Sequence, residues 1–191
     1  MRNMIQCGMS LFWALLPACS FAWETQLQLY RPFAETQKHP KPQVRQVLTG
    51  NCLQHSFKIK REDAWRCMAA NQVYDPCFIN TYGKKEHAIC PGSPWFSDSL
   101  LIKLEKPFNV DGVAHEPLDM SRHYPWAIEL PDGSACYAVE PGRFHEGLPV
   151  RYFCNKDKIL LGDLRRCAAK WTILQKKNQA VSIIEIKEAW F

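Results

Sequence analysis

The chain has 191 residues, with 24 Lys and Arg against 19 Asp and Glu, a net charge of +5 and 47% hydrophobic residues. That length makes one domain of ordinary size, able to bury a real core. A nucleic-acid binder concentrates its basic residues in a patch or stripe. Here they are spread along the chain, apart from a mildly basic run at Lys38, Lys41 and Arg45, so nucleic acid is not an expected partner.

The first residues have the layout of an export signal: one charge in Met1-Arg2-Asn3, then Met4 to Ala18 without charge and with few polar residues. The apolar core, Met9 to Leu16, is far shorter than the roughly 20 residues of a membrane-spanning helix, so no transmembrane span is expected. Ser20 and Ala22 fit the small-x-small cleavage rule, which predicts a signal peptide over 1–22 and a mature start at Trp23. A rival site at Leu16-Pro17-Ala18-Cys19 is laid out like a lipoprotein box, with proline in its second position; lipidation of Cys19 would tether an otherwise soluble domain. Either cleavage leaves the working part outside the cytosol, periplasmic or secreted.

Residues 23–48 are polar, contain Pro32, Pro40 and Pro42, and hold no period for long, which reads as an extended arm or linker. A single β-rich domain is expected over 49–191. Asn51 to Ile59 alternates as a strand, and Glu62-Asp63 then open a short helix with Trp65, Met68 and Ala69 on one face and a stop at Asn71. Asp75-Pro76 is a turn signal. Residues 79 to 98 read as loop, broken by a short strand at Ala88 to Cys90, and Ser99 to Leu104 is a compact apolar strand. Lys106 to Pro125 is another long loop.

The last third is clearest. Trp126 to Leu130 and Ser134 to Val139 flank the hairpin turn Pro131-Asp132-Gly133. Strands follow at Pro149 to Cys154, Ile159 to Leu161, Lys170 to Leu174 and Val181 to Ile186, with a turn at Asn155-Lys156-Asp157. This spacing argues for a mainly β fold, an antiparallel meander curled into a sandwich or small barrel with one short helix.

Cys7 and Cys19 fall in the signal; Cys52, Cys67, Cys77, Cys90, Cys136, Cys154 and Cys167 remain. In an exported chain these read first as disulfides, and the odd count leaves one unpaired. Zinc wants closely paired ligands, and every spacing here is ten residues or more. Adjacency pairs Cys52 with Cys67, Cys77 with Cys90 and Cys136 with Cys154, leaving Cys167 as the unpaired thiol; Cys154 with Cys167 is the open alternative. Each bridge would close a loop of about 15 residues, worth on the order of 3 kcal/mol.

The strings G-N-C from Gly50, D-A-W-R-C-M-A-A-N from Asp63, D-P-C-F from Asp75, I-C-P from Ile89 and P-W from Pro94 resemble an uncharacterised group of exported bacterial proteins with a cysteine-punctuated first half. W-A-I-E-L-P-D-G-S-A-C from Trp126, R-Y-F-C from Arg151 and the closing E-A-W extend the likeness to Phe191. It implies export and one coherent fold, with no activity attached. More loosely, D-G-x-x-C followed by Y-x-C and a polar turn is similar to the small β-barrel lysozyme inhibitors of bacterial periplasms, which plug the enzyme's carboxylates with a short loop carrying Ser and Lys.

Other constellations each have a plainer explanation. His115, Asp119 and His123 would share a helix face and could hold a metal, but Pro117 and Pro125 oppose that helix. Glu62 with Asp63, or Glu116 with Asp119, could serve as paired carboxylates for glycoside cleavage, although helix-start charge and loop polarity account for them. Trp65, Trp95, Trp126, Trp171 and Trp190 could stack sugars, but aromatics spread through strands are usually core. Cys167 is the one thiol spared for nucleophilic chemistry, yet no His sits in a catalytic context beside it, and no phosphate loop, G-x-S-x-G or cofactor motif is present. The expected function is non-catalytic binding at the cell envelope, to an envelope polymer or a protein, with an envelope-directed hydrolase or a lysozyme-inhibitor-like protein as alternatives.

Overall fold

The structure, a computed structural model, describes residues 24–34, 40–81, 83, 85–108 and 117–191. The expected signal at 1–22, Trp23, His39, His115 and Glu116 lie outside them. The described residues form fourteen strands and no helix. After β1 (Gln26–Gln28), five strands close a small barrel: β2 (Gln43–His55), β3 (Ala64–Ala69), β4 (Gln72–Ile79), β5 (His87–Pro91) and β6 (Asp98–Leu104). The later strands are β7 (Ala127–Glu129), β8 (Ala135–Ala138), β9 (Phe144–His145), β10 (Leu148–Cys154), β11 (Lys158–Arg165), β12 (Thr172–Lys177), β13 (Ala180–Glu185) and β14 (Glu188–Trp190).

Barrel closure depends on β2 serving two neighbours. Its first half runs parallel to β6 and its second half antiparallel to β3, with register shifts at Arg45 and Leu53 that bend the strand. Gly50 sits where the two pairings meet, opposite both Ala69 and Leu104. A Cβ there would stand 2.2 Å from the Met68 carbonyl oxygen, so this close crossing requires glycine.

The second sheet runs β1-β14-β7-β8-β10-β11-β12-β13, with β9 paired to the start of β10. Its six strands from β7 to β13 on this path are the antiparallel meander expected from the last third, and β1 adds a parallel strand beside β14. Gly133, at φ 73°, makes the turn between β7 and β8.

The expected short helix is absent: its residues are β3. Burial over Ala64–Ala69 follows the strand more closely than a helical stripe, and Cys67 lies directly opposite Cys52. Asn71 does adopt the left-handed conformation, but with Ala70 as the two-residue turn joining β3 to β4 rather than as a helix stop. Asp75-Pro76, expected as a turn, lies inside β4, where the Asp75 carboxylate accepts hydrogen bonds from Ser56 Oγ at 2.5 Å and the Phe57 amide at 3.0 Å. The stretch read as an arm over 23–48 supplies β1 and the first part of β2, and so belongs to both sheets.

Both sheets share one core. Tyr30, which follows β1, lies 5.1 Å from Phe78 of β4 and 5.7 Å from Trp126 ahead of β7, centroid to centroid. Burial pushes the Tyr30 phenol up to about 12. A second, smaller core inside the barrel holds Cys52, Trp65, Cys67, Ala69, Cys77, Ile79, Ala88, Cys90 and Ile102.

One buried charge pins the β7–β8 hairpin. The Lys158 ammonium is buried, donates to Ser134 Oγ at 2.8 Å and pairs with the Asp132 carboxylate. The Lys158 hydrogen bond, followed by those of Ser134, holds the Asp132 carboxyl well below the usual carboxylate range. Because the folded pKa lies below the unfolded value of about 3.9, this contribution is complete above that pH and fades as pH falls below it. Asp132→Asn is therefore expected to lower the urea midpoint at neutral pH. Its midpoint should also fall less than the wild type's on acidification from about pH 4, the range set by the unfolded carboxylate. Parallel acid-induced loss in both proteins would contradict the pairing.

Candidate functional site

Three disulfides join Cys52 to Cys67, Cys77 to Cys90 and Cys136 to Cys154. Cys167 is exposed and outside any disulfide. The sulfurs of Cys67, Cys77 and Cys90 lie within 4.8 Å of one another, but each is half of a disulfide and offers no thiolate to a metal.

The remaining candidates do not converge. Asp119 and His123 fall in a turn rather than a helix: the Asp119 amide donates to His123 Nδ1 at 3.1 Å, and the Asp119 carboxylate accepts from the Ser121 hydroxyl at 2.6 Å and its amide at 2.9 Å. The Ser121 bonds hold the Asp119 carboxyl below its ordinary range. Trp65, Trp126, Trp171 and Trp190 are core, so four of the five tryptophans cannot form a stacking platform.

A pocket of about 540 Å³ opens where the barrel meets the chain around β1. Leu29, Pro32, Phe33, Ile79 and Leu118 make apolar walls, and Arg61, Glu62 and Asp63 supply polar groups. Glu62 and Asp63, the carboxylates singled out by sequence, do meet here. Asp63 is committed, however, to a bidentate pair with Arg61, at 2.8 Å to Nε and 2.5 Å to Nη2. Arg61 Nη1 also donates to the carbonyls of Tyr30 and Phe191, at 2.6 and 2.9 Å. The pair is a structural junction, and among the described residues no His, Cys or Ser lines the pocket to act as nucleophile or proton carrier.

The most distinctive surface is the outer face of the second sheet. Directly opposed residues share a face, so register traces one row that starts at the buried Trp190 and Ala127 and reaches the surface through Tyr137, Phe153, Ile159, Lys176 and Val181. At one end Trp95, from the β5–β6 loop, packs edge-on against Tyr137 at 5.8 Å and Trp190 at 6.1 Å. Toward the other end, the β9 residue His145 contacts Lys176, and Lys176 also pairs with Glu146 at 3.5 Å.

Several aromatic rings are left uncovered: Phe153, in the row itself, is 43% exposed, Phe144, in β9 beside the start of β10, 69%, and Phe96, next to Trp95 in the chain, 68%. Arg143 lies over the Phe153 ring at 5.5 Å. Arg66 of the barrel lies over exposed Phe57 at 4.7 Å and binds Glu140 at 2.6 Å, linking the two sheets beside the same surface. Sequence reasoning missed these phenylalanines because Phe96 and Phe144 follow tryptophan and arginine in turn-rich stretches, with no period to assign them a face. The one available signal was the cross-strand partnership of Tyr137 and Phe153 in the hairpin-linked strands that also place Cys136 opposite Cys154. No family model matches the chain, and no curated protein or solved structure matches it either.

Proposed function

We propose that the chain is a non-catalytic binding protein of an oxidising compartment outside the cytosol, which docks a macromolecular partner at the cell envelope through its aromatic outer face. The observation that carries this reading is the set of uncovered rings at Phe96, Phe144 and Phe153, accompanied by Arg143. Protein surfaces that bury aromatic rings and arginine on contact draw most of their binding energy from those residues. A monomer gains nothing by leaving several such rings in water. Three disulfides fit an oxidising compartment. No helix among the described residues is long and apolar enough to cross a membrane. The pocket supports an enzyme less well, since its best carboxylate is already held by Arg61.

The test is saturation binding of the fluorescently labelled protein to isolated envelopes of its host. Wild type should bind saturably, and Phe96→Ser combined with Phe153→Ser should weaken binding by roughly tenfold or more, with the thermal midpoint unchanged. Non-saturable uptake, or equal binding by the double variant, would overturn the proposal.

A further inference from the structure

The path of the second sheet ends on β13, whose other side meets no strand among the described residues. A strand paired on one side only turns alternate N–H and C=O groups outward, and natural edges blunt that template with charge, proline or a bulge. Ala180–Ile184 has none of these. Val181 is 49% exposed and Ile183 58%. The other end of the path, β1, is three residues long and carries two glutamines.

We propose that this edge pairs antiparallel with β13 of a second copy of the chain, about a two-fold axis through Ser182. The sequence is self-complementary in that register. Val181 and Ile183 lie on the outer face, as the row through Lys176 and Val181 establishes, and Ser182 and Ile184 on the inner one. Pairing Ser182 with its own counterpart sets Val181 opposite Ile183 twice over and Ala180 opposite Ile184, with Gln179 opposite Glu185, so no like charges meet. Moving the axis to Ile183 would instead oppose Val181 to Glu185.

Charge argues for the same occupant. Lys176 is paired with Glu146, and Lys170 with Glu185 at 3.1 Å, so these two charges beside the edge are matched within the chain and do not select an ionic partner. An exposed edge without charge over 180–184 suits another like itself. Two six-residue edges bury less than the roughly 1,200 Å² of a standard stable interface, so the association is weak and concentration-dependent. The two-fold axis stands perpendicular to the joined sheet, which puts both outer faces on one side. The dimer therefore offers two aromatic surfaces to one partner, a consequence that rests on the binding reading above, although the pairing itself does not.

Sedimentation equilibrium of the whole exported protein over a concentration series tests the register. Wild type should dimerise in a concentration-dependent way, and Cys167→Ser should not matter, because the contact is non-covalent. V181K or I183E alone should weaken the dimer about tenfold, since each substitution occurs twice across the axis. The V181K/I183E double variant should recover most of the loss, as Lys then faces Glu in both directions. Both positions are exposed, so folding is retained. A monomer at all concentrations, a dimer abolished by Cys167→Ser, or a double variant no better than the singles would each overturn the proposal. Envelope binding by a purely monomeric protein would leave the binding reading intact while removing this one.

Discussion

Asp63→Ala is expected to lower the unfolding free energy by about 3–5 kcal/mol, the usual cost of removing one partner from a buried ion pair. Arg61 is among the few buried cations, with its side chain only 7% exposed. Three separate chain segments depend on it: Asp63 beside β3, the Tyr30 carbonyl after β1, and the Phe191 carbonyl at the end of the chain. Its guanidinium also lies 4.8 Å above the Phe78 ring. Without Asp63 the charge remains largely buried, and two carbonyls do not replace a carboxylate.

Arg45→Ala supplies the contrast. Arg45 and Asp98 are comparably close, at 2.7 Å, but both are exposed, so that change should cost less than about 1 kcal/mol. Urea unfolding of both variants checks the difference. Equal midpoints would mean that Arg61 is solvated and that the junction between barrel and sheet is held by the Tyr30, Phe78 and Trp126 rings alone.

What could be anticipated from sequence follows from how far each signal reaches along the chain. The meander of the last third was legible because its strands are neighbours joined by marked turns, such as Pro131-Asp132-Gly133, and local alternation suffices there. Two kinds of strand escaped. β1 and β14 are three residues long, too short for any period, and exist because each completes the other's hydrogen bonding across the whole length of the chain. β3 was mistaken for a helix because Trp65, Met68 and Ala69 fit a helical face; the pairing of Cys67 opposite Cys52 overrides that local preference. The site was less legible still. Exposure of Phe96 and Phe144 is decided by which loop lies over which face, and Glu62 with Asp63 looked like free carboxylates until Arg61, two residues earlier than Asp63, turned its guanidinium onto one of them.

Removing both barrel disulfides, as Cys52→Ala and Cys67→Ala together with Cys77→Ala and Cys90→Ala, is expected to unfold the barrel while the second sheet keeps its hydrogen bonding. The bridges close loops of 15 and 13 residues, each worth about 3 kcal/mol in the chain-entropy model. Their sum rivals the 5–15 kcal/mol that typically holds a whole domain together. The barrel has little else to draw on. Its core places four half-cystines beside two alanines, leaving Trp65, Ile79 and Ile102 as the large buried side chains. The second sheet instead packs Trp126, Tyr152, Leu160, Ile173 and Phe191 around a single bridge, so Cys136→Ala with Cys154→Ala should cost about 3 kcal/mol without local unfolding. Amide exchange read segment by segment separates these outcomes. Loss of protection confined to β2–β6 in the four-cysteine variant is the expected result, whereas uniform loss would show that the Arg61 junction and the shared aromatic core make the two sheets one cooperative unit, in which the barrel cannot open alone.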